Sequence, residues 1–255
     1  MLVGKEGLDR LAAARVVVVG LGGVGAVAAE MLARAGVGHI VIIDPDEVGE
    51  TNLNRQVIAL HSTLGRPKVD VVRERLLDIN PDLDVVALRT FIAEDNIPAL
   101  FDDFASSRSD DDVSEGRSPE EPHSTNSIDF VIDAIDTLSP KIALSQYCLS
   151  HSIPLVSSMG SGAKTDATQI RIADIGDTFE CPLARMMRKR LHKLGITSGF
   201  LAVFSPEVPD KRGMTIEETR NKKSQVGTIS YLPAAFGCIC AQAAITRIVG
   251  INGID

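Results

Sequence analysis

Four β-branched residues in a row, Val16-Val17-Val18-Val19, end at Gly20 and open an alternation of apolar runs and helical periods along most of the chain. Runs of this kind predict strands buried on both faces near residues 15–20, 39–44, 84–88, 128–133 and 154–158. Between them, apolar positions recur at helical spacing over 24–35, 68–80, 94–100 and 141–151. Asn80-Pro81 stops the second helix, and Pro67 suits its first turn. A last apolar stretch, 233–249, predicts another helix. Strands alternating with helices call for an α/β fold, a doubly wound, Rossmann-like, mainly parallel sheet covered on both faces. One domain with a C-terminal α/β extension accounts for the whole pattern. Residues 105–127 break it, because serine, aspartate, glutamate and proline dominate there. Such a segment buries too little to offset its ordering entropy, so a disordered insertion is expected, with His123 a solvated imidazole inside it.

Composition narrows the class. With 255 residues and 44% apolar content, the chain is long enough for a full core in a single domain. No run of eighteen apolar residues and no charged-then-apolar leader is present, so neither a membrane span nor a secretory signal is expected. The four cysteines, Cys148, Cys181, Cys238 and Cys240, lack the paired C-x-x-C spacing of a structural zinc site, and no zinc is expected. Cys238 and Cys240 fall in the last apolar helix and read as core. This reduced use of cysteine suits a cytosolic-type compartment, with an organellar or membrane-associated one still open.

Candidate chemistry starts at Gly20. Gly20, Gly22 and Gly25 have G-x-G-x-x-G spacing where the first strand turns into a helix, with Gly23 between them. A helix starting near Gly23 aims free N–H groups and a positive dipole end at phosphate. Asp44 ends the second strand, where a carboxylate accepts hydrogen bonds from ribose hydroxyls, and Asp46 follows it. To this point a nicotinamide or flavin dehydrogenase fits equally well. The residues beyond Asp44 separate the two chemistries, because expelling pyrophosphate from a triphosphate needs cations on the transferred and leaving groups. Arg55 and Lys68 supply them, and Asp136 at the end of another apolar strand can hold Mg²⁺ between phosphates. Taken singly, Arg55 and Lys68 read equally as surface charges, and Asp136 as a cap for a helix starting near Ser139.

Taken in order, G-L-G-G-V-G, I-D-P-D-x-V, N-L-N-R-Q, G-R-P-K and D-A-I-D resemble the adenylation core shared by ubiquitin-activating enzymes and bacterial sulfur-carrier adenylyltransferases, the ThiF/MoeB/HesA type. The resemblance implies a ThiF-type domain over 1–250, with the nucleotide core at 13–160. It implies that Asp44 holds the ribose, that Asn52, Arg55, Gln56 and Lys68 line the triphosphate path, and that Asp136 coordinates Mg²⁺ beside ATP. It also implies a homodimer, and leaves room for a monovalent cation beside the loop and a sulfur-transfer partner.

A second resemblance lies further along. D-A-T-Q-I-R-I-A-D-I from Asp166 and C-P-L-A-R-M-M-R-K-R-L from Cys181 are similar to stretches of the tRNA threonylcarbamoyladenosine dehydratases, as is V-G-T-I-S-Y-L-P-A-A-F-G from Val226. This implies a substrate-facing part at 161–232 and a tRNA partner, modified at the adenosine beside the anticodon. The charge pattern agrees in one respect. Although the net charge is −8, Arg185, Arg188, Lys189, Arg190 and Lys193, with His192, crowd one helical segment, and Lys211, Arg212, Arg220, Lys222 and Lys223 follow. Such a patch suits a phosphodiester backbone, though the same spacing also describes a solvated helix face.

The implied reaction is an ATP-driven cyclisation in which a carboxylate is adenylated and then attacked by a group of the same substrate. No enzyme nucleophile is then required. Two departures stand out. Relatives carry an arginine ahead of the segment matching residues 2–8 that reaches the partner subunit's phosphates, and the sequence read here starts after it; a shortened chain or an impaired one is implied. A cysteine that some bacterial dehydratases place before the last helix is replaced by Lys223-Ser224-Gln225-Val226. An adenylyltransferase acting on a Gly-Gly carrier tail and an inactive dimeric scaffold therefore stay open beside the dehydratase.

Overall fold

A computed structural model describes residues 2–106, 128–210, 214–215 and 225–251. Its order begins with α1 (Gly4–Ala13), β1 (Arg15–Val19), α2 (Gly25–Ala35), β2 (His39–Ile43), α3 (Lys68–Ile79), β3 (Asp84–Leu88) and α4 (Ile97–Ser106). It continues through β4 (Phe130–Asp133), α5 (Leu138–Ser150), β5 (Leu155–Ser158), β6 (Arg171–Asp174), α6 (Pro182–Lys193), β7 (Leu201–Phe204), β8 (Met214–Thr215), β9 (Gln225–Val226) and α7 (Tyr231–Val249). Seven strands form one sheet in the order β3-β2-β1-β4-β5-β7-β6, and only β6 runs antiparallel to its neighbour. Strand order reverses between β1 and β4, so the crevice beyond their carboxyl ends is where such sheets take ligands.

The valine run explains itself in this setting. Val16 and Val18 pack on the side of α2, α3 and α7, while Val17 and Val19 face α4, α5 and α6. A strand at the centre of a sheet covered on both faces has no polar side, which is why the run does not alternate.

Two expectations are corrected and one helix is added. The helix expected at 94–100 lies at Ile97–Ser106, so the first two residues of the expected insertion are helical; the rest of it, with His123, lies outside the described residues. Helix α1 was not foreseen, because glycines at 4 and 7 count against a helix. Gly7 is there for close approach: a Cβ on it would stand 2.9 Å from Val249 Cγ1 on α7. Cys238 is exposed and only Cys240 is buried, since positions two apart on a helix point to different faces. Helix α7 is also long and apolar enough to cross a membrane by length and composition. Here it packs against α1, α2, β4, β5 and β7, burying Leu232, Phe236, Cys240, Ala243 and Ala244.

Candidate active site

The turn after β1 is shaped by backbone crowding. Gly20 has φ +90°, and a Cβ on it would lie 2.7 Å from Ala134 O; one on Gly25 would lie 1.8 Å from Gly20 O. Only glycine lets the β1 turn, the β4 turn and the start of α2 close on one another. Gly22 differs, because a Cβ there meets nothing nearer than Gln56 Nε2 at 3.7 Å, leaving room for a ligand. Helix α2 starts at Gly25, two residues later than expected, with Val24 as its N-cap.

Asp44, Asp46 and Lys68 are brought together at the end of β2, and Gln56 lies beside Gly22. Leu21 N–H donates to Asp44 Oδ2 at 2.6 Å and Asp46 N–H to Asp44 Oδ1 at 2.8 Å, so this carboxylate pins the glycine turn to β2. Lys68 Nζ lies 2.9 Å from Asp46 Oδ2 and 3.7 Å from Asp44 Oδ1. Lys68 and Asp44 are both only 5% exposed. Burial pushes the Asp44 carboxyl up, against the opposing pull of Lys68 and the two N–H bonds. Lys68 is thus a buried cation and not a surface charge. Gln56 is also buried, and its Oε1 accepts no hydrogen bond among the described residues. An orphaned buried acceptor next to an open glycine is what a site awaiting a polar ligand leaves behind.

Asn52, Arg55 and Asp136 complete the expected set less tightly. Asn52 Oδ1 accepts from Gly49 N–H at 3.0 Å, shaping its loop. Arg55 Nη1 donates to Thr51 O and Asn54 Oδ1, both at 2.8 Å, so the guanidinium lies along its own loop. The carbonyl of Arg55 would stand 3.1 Å from a Cβ on Gly23, which seats that loop against the glycine turn. Asp136 is exposed just past β4, and the N-cap of α5 is Thr137, not Asp136.

Several structural residues were missed. Lys141 and Asp133 form a fully buried pair, Nζ to Oδ2 at 2.9 Å; Ser157 Oγ donates to the same oxygen at 2.6 Å and Ile135 N–H to the other at 3.1 Å. A charge inside the apolar run ending at Asp133 was the available signal. A strap at 226–231 joins the two halves of the rim: Asn54 Nδ2 donates to Thr228 O at 3.0 Å, Ala163 N–H to Gly227 O at 2.8 Å and Tyr231 OH to Thr165 O at 2.6 Å. Beside it Lys164, buried, donates to Ser205 O at 2.5 Å, and burial pulls its amine down, against the nearby Cys181 and Glu207.

The basic cluster lies on α6. Arg185, Lys189, Arg190 and Lys193 are exposed, while Ala184, Met187 and Leu191 face the core. Arg188 is corrected in part: it is half-buried and its guanidinium donates to the Thr178 hydroxyl. Arg190 Nη1 reaches Ser139 Oγ at 3.4 Å, near the start of α5, which brings the helix close to Asp136. Lys211, Arg212, Arg220, Lys222 and Lys223 lie outside the described residues.

Comparison with known proteins identifies the family. A model described as the ThiF family matches residues 1–255. The chain is 40% identical to the tRNA threonylcarbamoyladenosine dehydratase of Bacillus subtilis, over 94% of this chain and 88% of that one. It is also 40% identical to the Escherichia coli protein of the same name, over 97% and 91%. A crystal structure of the E. coli dehydratase, TcdA, in complex with ATP is similar at a TM-score of 0.81 and 34% identity, covering 98% of this chain and 91% of that chain.

Proposed function

We infer the function from one premise, that the chain belongs to the ThiF family. It is an ATP-dependent tRNA threonylcarbamoyladenosine dehydratase. The carboxylate of the threonylcarbamoyl group attacks the α-phosphate of ATP, giving an acyl adenylate and pyrophosphate. A nucleophilic atom of the same carbamoyl group then closes a ring on the activated carbonyl and expels AMP, with net loss of water. The observation that carries this reading is the breadth of the likeness: 40% identity spans both the nucleotide core and the half bearing α6.

The roles of individual residues are our assignment. The α2 start and the open Gly22 take the phosphates, Asp44 takes the ribose, and Asn52 and Gln56 offer polar contacts along the chain of phosphates. The orphaned Gln56 Oε1 would be satisfied by a donor such as a ribose hydroxyl, whereas its Nε2, beside Gly22, is the group that can donate to a phosphate oxygen. Lys68, held by Asp44 and Asp46, and Arg55 offset charge that builds on the phosphates. Magnesium fits only as an ion that arrives with the triphosphate. Among the described residues no three His, Cys, Asp or Glu side chains converge, whereas Asp136 offers one exposed carboxylate. Bound there, the ion would neutralise phosphate charge. We assign nucleotide work to 13–160 and tRNA contact to 161–232, with the exposed cations of α6 on the backbone. A cytoplasmic homodimer completes the reading, supported by the family likeness; neither a monovalent cation nor a sulfur-transfer partner is needed by it.

Pyrophosphate release from ATP tests the reading, with modified tRNA in one arm and a Gly-Gly carrier protein in the other. Release with tRNA alone is expected. Release with the carrier alone makes the chain an adenylyltransferase, and release with neither makes it a scaffold. Arg55→Ala and Lys68→Ala should each add about 3 kcal/mol to the adenylation barrier; near-native rates would remove both from the site.

A further inference from the structure

The rim that carries the glycine turn continues to the far edge of the sheet, where it carries a feature the nucleotide chemistry does not use. Because β6 is antiparallel, its first residue, Arg171, pairs with Phe204, the last of β7, and so lies at the same end of the sheet as Gly20 and Asp136. The chain then turns back through 175–178 and sets Phe179 on that end. Its ring meets the buried ring of Phe204 edge-on, centroids 5.5 Å apart, and the Arg171 guanidinium carbon lies 5.4 Å from the Phe179 centroid. Phe179 is nevertheless 44% exposed, and Arg171 is exposed with it.

Two further observations make this a built feature. Glu180, directly after Phe179, is held at φ +51°, a left-handed conformation that non-glycine residues seldom take unless their surroundings enforce it. Arg188 of α6 donates to Thr178, directly before Phe179, tying the ring's turn to the basic helix. Charge then decides the ligand. Asp177 and Glu180 flank Phe179 and are exposed, so they offset Arg171 and leave no net positive charge to hold a phosphate at this spot, while Arg185, Lys189 and Arg190 attract it further along. A neutral, flat group needs no such charge. Nucleobases in RNA loops are unpaired and present such faces, and aromatic rings and guanidinium planes are what they stack on.

We propose that Arg171 and Phe179 form a stacking ledge for one unpaired base of the RNA substrate, while α6 holds the phosphates beside it. This deepens the tRNA reading and rests on it. The test uses the full chain and a modified anticodon stem-loop. Phe179→Ala and Arg171→Gln should each raise the KM for RNA about tenfold, the usual loss for one stacked base, with kcat within about twofold and ATP affinity unchanged. Because the chain has no tryptophan, Phe179→Trp adds a lone reporter that should keep the native KM and be quenched by the stem-loop but not by blunt duplex RNA. Unchanged KM in both variants, or equal quenching by duplex, overturns the ledge. Loss of ATP affinity in Phe179→Ala would mark a packing role, and normal behaviour of Arg171→Gln beside it would overturn the ledge too. A wild-type chain that turns over no modified RNA sinks the tRNA reading itself, and the ledge with it.

Discussion

Lys141→Met should be among the most damaging single changes in this protein. Lys141 and Asp133 are both fully buried, 2.9 Å apart, at the carboxyl end of β4. Without the ammonium, Asp133 keeps only the Ser157 hydroxyl and the Ile135 N–H, two neutral donors. Stranding one buried charge in this way costs about 3–5 kcal/mol. With a urea dependence of roughly 2–3 kcal/mol per molar, that lowers the unfolding midpoint by about 1–2 M. The double variant Asp133→Asn/Lys141→Met removes both charges and keeps an acceptor oxygen for the Ile135 N–H, while the Ser157 hydroxyl can turn to accept from the new amide, so most of the loss should return, leaving a coupling of at least about 2 kcal/mol. Pyrophosphate release provides a second readout, because the backbone from Asp133 to Ile135 lies against Gly20 and loosening it loosens the turn. Urea denaturation followed by circular dichroism is the assay. A midpoint within about 0.3 M of wild type for Lys141→Met, under roughly 1 kcal/mol, would refute the claim that this pair holds the β4 turn.

The remaining outcomes follow from individual environments. Gly25→Ala places a Cβ 1.8 Å from Gly20 O, a backbone clash, so it should abolish ATP binding and lower thermal stability; normal binding by calorimetry would show that the turn can open. Glu30 is buried, which opposes ionisation, but Arg75 at 2.6 Å and Arg34 at 2.8 Å outweigh that and hold its carboxyl below the usual 4.5. A lowered folded pKa stabilises above the unfolded value and is lost as pH falls through the folded one. The stability gap between wild type and Glu30→Gln should therefore shrink from pH 6 to pH 3; a constant gap would contradict it. Burial pushes the Cys240 thiol up to about 12 and raises that of Cys148 as well, so native alkylation near pH 7.5 should mark Cys238 and spare both. Mass spectrometry of peptides labelled at Cys240 would disprove that.

The central strands, the glycine turn and Asp44 were readable because each rests on local pattern. A strand with two covered faces needs an unbroken apolar run, and a turn that brings backbone within contact of backbone needs glycine. Lys68 was singled out as chemistry but its environment was not legible, since nothing near it in the chain says that Asp44 and Asp46 enclose it. Helix α1 was hidden for the opposite reason: Gly7 lowers helix propensity locally and is required by the crossing with α7, 242 residues later at Val249. Nothing in its local sequence marks Phe179; β6 and β7 place it on the rim.

Taken alone, the amino-acid order determined the alternation of strands and helices, the glycine turn after β1 and the kind of chemistry to look for, because these depend on neighbours within a few residues. Tertiary structure decided which charges are buried, which cysteine faces solvent, and which residues share the carboxyl rim of the sheet. Those outcomes depend on contacts between segments far apart in the chain, and the water removed when they meet sets whether a lysine is a surface cation or part of a site.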